Sequence, residues 1–122
     1  MYYQLLAHLI GDFVLQSEWM AVNKSKRSFP ALVHVFFYTL PFLFLTTDIS
    51  TLLIISGTHF LIDRFGLARY ICRLRNHICP IRQWFLKKEN GTPVWLEFWL
   101  VVIVDNTMHL VINAFALGYT VN

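Results

Sequence analysis

Four apolar runs divide the chain, covering residues 2–20, 29–45, 51–66 and 94–117, with short polar stretches between them. A helix of about 20 apolar residues matches the hydrocarbon thickness of a bilayer. Residues 23–28 read as a polar, basic turn, and Pro30 follows near a helix start, where its missing N–H costs nothing. Pro41 falls inside the second run and predicts a kink or early unwinding. Thr46, Thr47 and Asp48 make an exit turn, with Asp48 or Ser50 as the cap of the next helix.

Past the third run the pattern changes. Leu67, Tyr70, Ile71, Leu74 and Ile78 recur at helical spacing while Arg69, Arg73 and Arg75 fill other faces, which predicts an amphipathic interfacial segment over residues 67–86. Pro80 should end that helix, and Trp84 and Phe85 suit the headgroup level. Asn90-Gly91 signals a turn, with Thr92 as cap and Pro93 at the first helical position of the last run. The expected fold class is all-α: one domain over residues 1–122, an integral membrane bundle of four transmembrane helices with an interfacial helix between spans three and four.

Composition agrees with this pattern. The chain is 57% hydrophobic and 14% charged, against about 25% charged in soluble domains. So short a chain cannot hide that much apolar surface in a water-soluble core. The net charge of +3 does not point to nucleic acid, because all ten basic residues lie within residues 24–27 and 64–88 and no recognition module accompanies them. Basic loops beside apolar spans record orientation and contact with anionic lipid. The expectation is a multi-pass inner-membrane protein with both basic loops in the cytoplasm and both termini outside, with membrane lipid and a second copy of the chain as partners. The first run lacks a basic start and a small-residue cleavage site and carries Asp12, so it reads as a retained helix. Cys72 and Cys79 flank His77, but no fourth zinc ligand accompanies them. They read as reduced, small apolar side chains near the bilayer surface.

Candidate chemistry lies inside the apolar runs. His8 and Asp12, His59 and Asp63, and Asp105 and His109 are each four residues apart, which places both members on one helix face about a turn apart. Gln4, Gln16, Ser56 and Asn113 extend those faces, and the second run adds His34 with Tyr38 a turn on. At about 1.5 Å per residue, Asp12, His59 and Asp105 lie about 12 to 16 Å from the basic ends of their spans. The groups can therefore converge. Ionisable groups at such depth are costly unless partnered. Histidine nitrogen and carboxylate oxygen suit zinc, manganese or iron, and the set suffices for one or two ions sharing a carboxylate. The alternatives are interhelical hydrogen bonds that fix a polar core, and a proton or cation path. Gly11, beside the stripe, reads as a site of close helix approach.

The ordered set of His8 to Asp12 with Gln16, Lys24, Ala31 to His34, His59 to Arg64, Val104-Asp105 and His109-Leu110 resembles the uncharacterised "domain of unknown function 3307" family of bacterial and phage membrane proteins. The resemblance covers all four runs and implies a membrane protein without an assigned activity. Relatives often carry Gln after the aspartate of the last motif, where this chain has Asn106. More loosely, the chain is similar to small membrane-bound metal-dependent hydrolases.

The expected function is a membrane-embedded metal-dependent hydrolase acting on a phosphoester or lipid-linked substrate at the cytoplasmic side. His8, Asp12, His59, Asp63, Asp105 and His109 are the expected metal ligands, Asp63 the general base, and His34 a ligand or general acid. Arg64 and Lys24 are topology charges or steer an anionic headgroup. The other readings are a metal-ion or proton conduit and a non-enzymatic membrane interaction protein.

Overall fold

The computed structural model describes residues 2–78 and 94–120, which are helical apart from short turns. Helix α1 (Tyr2–Leu9) runs on as a π-helical stretch, Ile10–Val14. Helix α2 is Glu18–Asn23. Helix α3 (Ser28–Thr39) tightens into a 3-10 stretch, Leu40–Phe44. Helices α4 (Ile49–Phe65), α5 (Leu67–Ile78) and α6 (Val94–Thr120) complete the fold. The second half of the expected interfacial segment, with Cys79, Pro80, Trp84, Phe85 and the turn and cap at Asn90, Gly91, Thr92 and Pro93, lies outside the described residues.

The first apolar run is not the single helix expected. The Leu15 N–H bonds to the Ile10 carbonyl at 2.9 Å, closing a wide i→i+5 turn. The chain then leaves the helix, and Ser17 caps α2 through its hydroxyl on the Met20 N–H. Gly11 lies in the wide turn, pressed so close to α3 that a Cβ would stand 2.7 Å from Tyr38 Cδ2 and 3.0 Å from the Tyr38 carbonyl. Single π turns inside helices recur at functional sites, and this one contains Asp12.

The other breaks follow their residues. Pro41 has no N–H to give and crowds the carbonyl a turn back, and the α pattern gives way to the 3-10 stretch one residue before it. Asp48 caps α4, one carboxylate oxygen accepting the Thr51 N–H at 2.7 Å and the Ser50 hydroxyl as well. Gly66 (φ 60°) ends α4 in the left-handed region that glycine enters without penalty. There the chain bends by 64° into α5.

Helix α4 packs between α3 and α6, while α1 and α5 also lie on α6. Ala7, Tyr38, Phe42, Ile55 and Ala116 form an apolar cluster at the end of the bundle away from the α4–α5 bend. Eight polar side chains are buried as well: His8, Asp12, His34, Thr51, His59, Asp63, His109 and Asn113, beside apolar residues such as Ala31, Val35 and Ile62. The exterior is apolar, with Val14 73%, Phe44 92%, Leu53 66% and Phe115 67% exposed. This inverts the distribution that water imposes. Among the described residues, the 24-residue segment Trp95–Gly118 of α6 is long and apolar enough to cross a membrane as one straight helix. Helices α4 and α5 reach that length only together, across their bend, and the Ser28–Phe44 segment is apolar but shorter.

Candidate metal centre

Four elements each deliver one or two polar side chains to a common point. The π turn supplies Asp12, α3 supplies His34, α4 supplies His59 and Asp63 a turn apart, and α6 supplies Asp105 and His109 a turn apart.

Asp12 Oδ1, His34 Nε2, His59 Nε2 and Asp63 Oδ2 meet in the tightest group. His34 Nε2 lies 3.1 Å from Asp12 Oδ1, 3.1 Å from Asp63 Oδ2 and 2.9 Å from His59 Nε2. His59 Nε2 lies 3.4 Å from Asp12 Oδ1 and 3.1 Å from Asp63 Oδ2. These close contacts have too few protons to be a hydrogen-bond network. Carboxylates bring none, and a neutral imidazole nitrogen brings at most one, in one direction. Protonating both Nε2 atoms would set two N–H groups against each other across 2.9 Å. A central cation resolves the conflict. Metal–ligand bonds of about 2.0 to 2.2 Å put neighbouring ligand atoms about 2.9 to 3.5 Å apart in tetrahedral to octahedral shells. The five distances fall in that range. The cluster of Asp12, His34, His59 and Asp63, all buried, can therefore hold a metal ion.

Asp12, Asp105 and His109 form a second such group. His109 Nε2 lies 3.5 Å from Asp105 Oδ2 and 3.3 Å from Asp63 Oδ1. Asp12 thus belongs to both groups, and Asp63 presents one oxygen to each.

His34, expected as ligand or acid, is fully buried with its Nε2 inside the first group. His8 stands outside both. The Asn106 amide nitrogen donates to the Val102 carbonyl (2.7 Å), which turns its oxygen towards His8 Nε2 (2.8 Å). That nitrogen therefore carries the proton, and Nδ1 accepts the Tyr38 hydroxyl proton at 2.9 Å. Asn113 in turn donates to the Tyr38 oxygen at 2.7 Å. With both ring nitrogens committed, His8 stands 3.6 Å from Asp12 Oδ2 and makes no hydrogen bond to it. Asn106 thus sets the His8 tautomer in this chain.

Asp63 is also more occupied than expected of a general base. Its two oxygens face His34, His59 and His109, and the Lys24 ammonium lies 2.8 Å from Oδ2. Burial alone pulls the Lys24 ammonium down, but Asp63, then Asp12 and Asp105, outweigh it and hold the group above its ordinary range. Asp105 is the accessible carboxylate, its side chain 24% exposed.

His34 and His59 find no protein partner for Nδ1, although metal-bound imidazoles usually donate there. Stacking orients His59 instead, between Tyr38 (ring centroids 3.5 Å apart) and His109 (3.9 Å). Arg64 donates to the Ser28 hydroxyl and the Ser25 carbonyl at 3.2 Å each, tying the 24–26 turn and the start of α3 to α4. Cys72 is a buried free thiol against the Leu100 carbonyl.

A cavity of about 310 Å³ reaches the cluster from one side, touching Asp12, Asp63 and Asp105. Gln16, Lys24, Arg69 and Asn106 are among its other walls. On the opposite side the apolar cluster around Tyr38 and Phe42 closes the interior.

No curated protein and no solved structure matches the chain, so no match supports the looser likeness to metal-dependent hydrolases. The residues that suggested a family are those assembled at the cluster and its rim. A family model matches residues 1–121, and the chain belongs to that family, described as protein of unknown function (DUF3307).

Proposed function

We propose that the chain is a multi-pass inner-membrane protein that binds zinc, manganese or iron in its polar interior and hydrolyses a phosphoester or lipid-linked substrate from the cytoplasmic side. The polar interior under an apolar exterior supports the membrane reading. Spans one to three are broken or bent helices, tolerable in lipid where their irregular backbone faces the protein interior. Basic loops at residues 24–27 and after Asp63 support an orientation with both in the cytoplasm.

One observation carries the catalytic reading: among the described residues, the cluster opens to a cavity through Asp12, Asp63 and Asp105, while the apolar cluster around Tyr38 and Phe42 lies towards the other end. A conduit needs a polar path to both faces, and a purely structural core needs no cavity. A bound divalent ion would supply Lewis acidity and a water of lowered pKa. Asp12, His34, His59 and Asp63 would hold the first ion, and Asp12, Asp105 and His109 the second. Asp105, the carboxylate with solvent access, takes the general-base role in place of Asp63, accepting the proton of the attacking water. Lys24, at the cavity wall beside Asp63, faces the charge that develops on the phosphoryl oxygens.

The test is turnover in nanodiscs with added zinc or manganese, using a chromogenic phosphomonoester and phosphatidic acid. Asp105→Asn should lose about a hundredfold or more in turnover, the usual worth of a positioned base, while the ion at the first cluster stays bound. Absence of hydrolysis in metal-loaded wild type, with either substrate, would count against the enzyme.

A further inference from the structure

Beside the cavity at the cluster lies a second one, of about 450 Å³, in the corner between the 24–26 turn and the α4–α5 bend. Ser25, Lys26, Gly66, Arg69, Tyr70 and Arg73 line it, and no carboxylate does. The two cavities share Ala21, Ser25, Gly66 and Arg69 as a common wall. One is acidic and the other basic, so a ligand spanning both meets the metal ligands at one end and positive charge at the other.

Those positive charges are uncommitted. Lys24 is taken by Asp63, and Arg64 by Ser28 and Ser25. Lys26, Arg69 and Arg73 have no carboxylate partner among the described residues, and Arg73 leans only on the Tyr70 ring, 5.9 Å away. The left-handed turn at Gly66 builds the corner. It folds α5 back so that residues one helical turn apart, Arg69 and Arg73, face the loop that carries Lys26. Phe65 and Tyr70 are exposed at its rim, a composition suited to the headgroup level.

We infer that this corner is an anion subsite that holds a phosphate of the substrate while the cluster acts on a second phosphoryl or ester group beside it. The inference deepens the proposed function and rests on it for what happens at the cluster. The ligand chemistry is a phosphate oxyanion gripped by two guanidinium groups and an ammonium, with the Ser25 and Tyr70 hydroxyls at hand. Guanidinium forks match phosphate geometry. Its source is either an anionic lipid headgroup or a soluble phosphoester.

The experiment titrates the detergent-purified protein with mixed micelles carrying phosphatidic acid or phosphatidylcholine, then repeats the phosphatidic acid titration against inorganic phosphate. Phosphatidic acid should bind at least about tenfold more tightly than phosphatidylcholine, and Arg69→Gln with Arg73→Gln should remove about tenfold, the worth of one to two charge-assisted hydrogen bonds. The Lys pair at the same positions should retain part of the binding, which separates lost charge from lost fold. Arg75→Gln, exposed on α5 outside the corner, should stay within about twofold, since an exposed charge remote from the ligand is screened. Competition by inorganic phosphate assigns a soluble source, and its failure to compete assigns a lipid headgroup. Equal losses for the Arg69/Arg73 pair and Arg75, or no preference for phosphatidic acid, would overturn the subsite. Asp12→Asn separates the two claims: it should lose metal and keep phosphatidic acid binding. A metal-free wild type that still binds phosphatidic acid through Arg69 and Arg73 would sink the hydrolase and leave the subsite standing.

Discussion

Replacing Gly11 by Ala tests how the π turn holds the site. The added Cβ would sit 2.7 Å from Tyr38 Cδ2, about 0.7 Å inside the 3.4 Å where ordinary contact begins, and 3.0 Å from the Tyr38 backbone oxygen. Tyr38 cannot yield cheaply. It is fully buried, its hydroxyl is held by Asn113 and His8, and its ring is stacked on His59. The turn must therefore move away from α3, and Asp12, the next residue, moves with it. Overpacking of this kind costs about 1 to 3 kcal/mol of stability. A displacement of about 0.7 Å also exceeds the roughly 0.2 Å tolerance of metal–ligand distances, so metal affinity should fall more than about tenfold. Gly57→Ala is the control, because a Cβ there meets nothing within 4 Å. It should leave metal affinity unchanged and raise stability by up to about 1 kcal/mol through helix propensity. Thermal unfolding in detergent and metal titration by competition with a chromogenic chelator read both effects. Equal affinities in the two variants would refute the packing argument.

Cysteines placed singly at positions 26 and 48 should label from opposite faces, the first from the cytoplasm and the second from outside; labelling of both from one face would remove the four-span topology. The Asp48 cap gives a pH dependence. Its hydrogen bonds from Ser50 and from the Thr51 backbone hold its carboxyl below the usual value of 3.8. The stability it contributes is therefore present above that value and is lost as pH falls through the lower folded one. Melting temperatures of wild type and Asp48→Ala should differ at pH 6 and converge by about pH 2, below the usual carboxylate range; a difference independent of pH would assign the cap to something other than this charge.

The His–Asp pairs were legible because one helical turn brings both members to one face, and α4 and α6 present theirs as that spacing predicts. His34 had no partner on its own helix, yet it sits in the tightest group, because the partners of a lone buried imidazole come from other helices. His8 went the other way. Its pairing with Asp12 matched the pattern, but Asn106 and Tyr38 claim its two nitrogens, and those contacts are set by packing. The break in the first run was half visible, since Ser17 followed by Glu18 is a helix-start signal. The π turn was not, because it accompanies a backbone contact between Gly11 and Tyr38, far apart in sequence. The basic corner was hidden for the same reason. Arg69 and Arg73 fit an amphipathic surface helix, and only the left-handed Gly66 brings them to Lys26.

Metal content measured by mass spectrometry on protein purified without chelator tests the central claim most directly, in wild type and in Asp12→Asn, His59→Ala, Asp63→Asn and Asp105→Asn. The account predicts stoichiometric zinc, manganese or iron in wild type. It predicts loss of more than about tenfold in affinity for each substitution in the first cluster, with combined substitutions far from additive, because the ligands of one ion act as a unit. Asp105→Asn should lose only the second ion. A wild type that is metal-free, and that keeps its fold and melting temperature through chelation and metal addition alike, would contradict it.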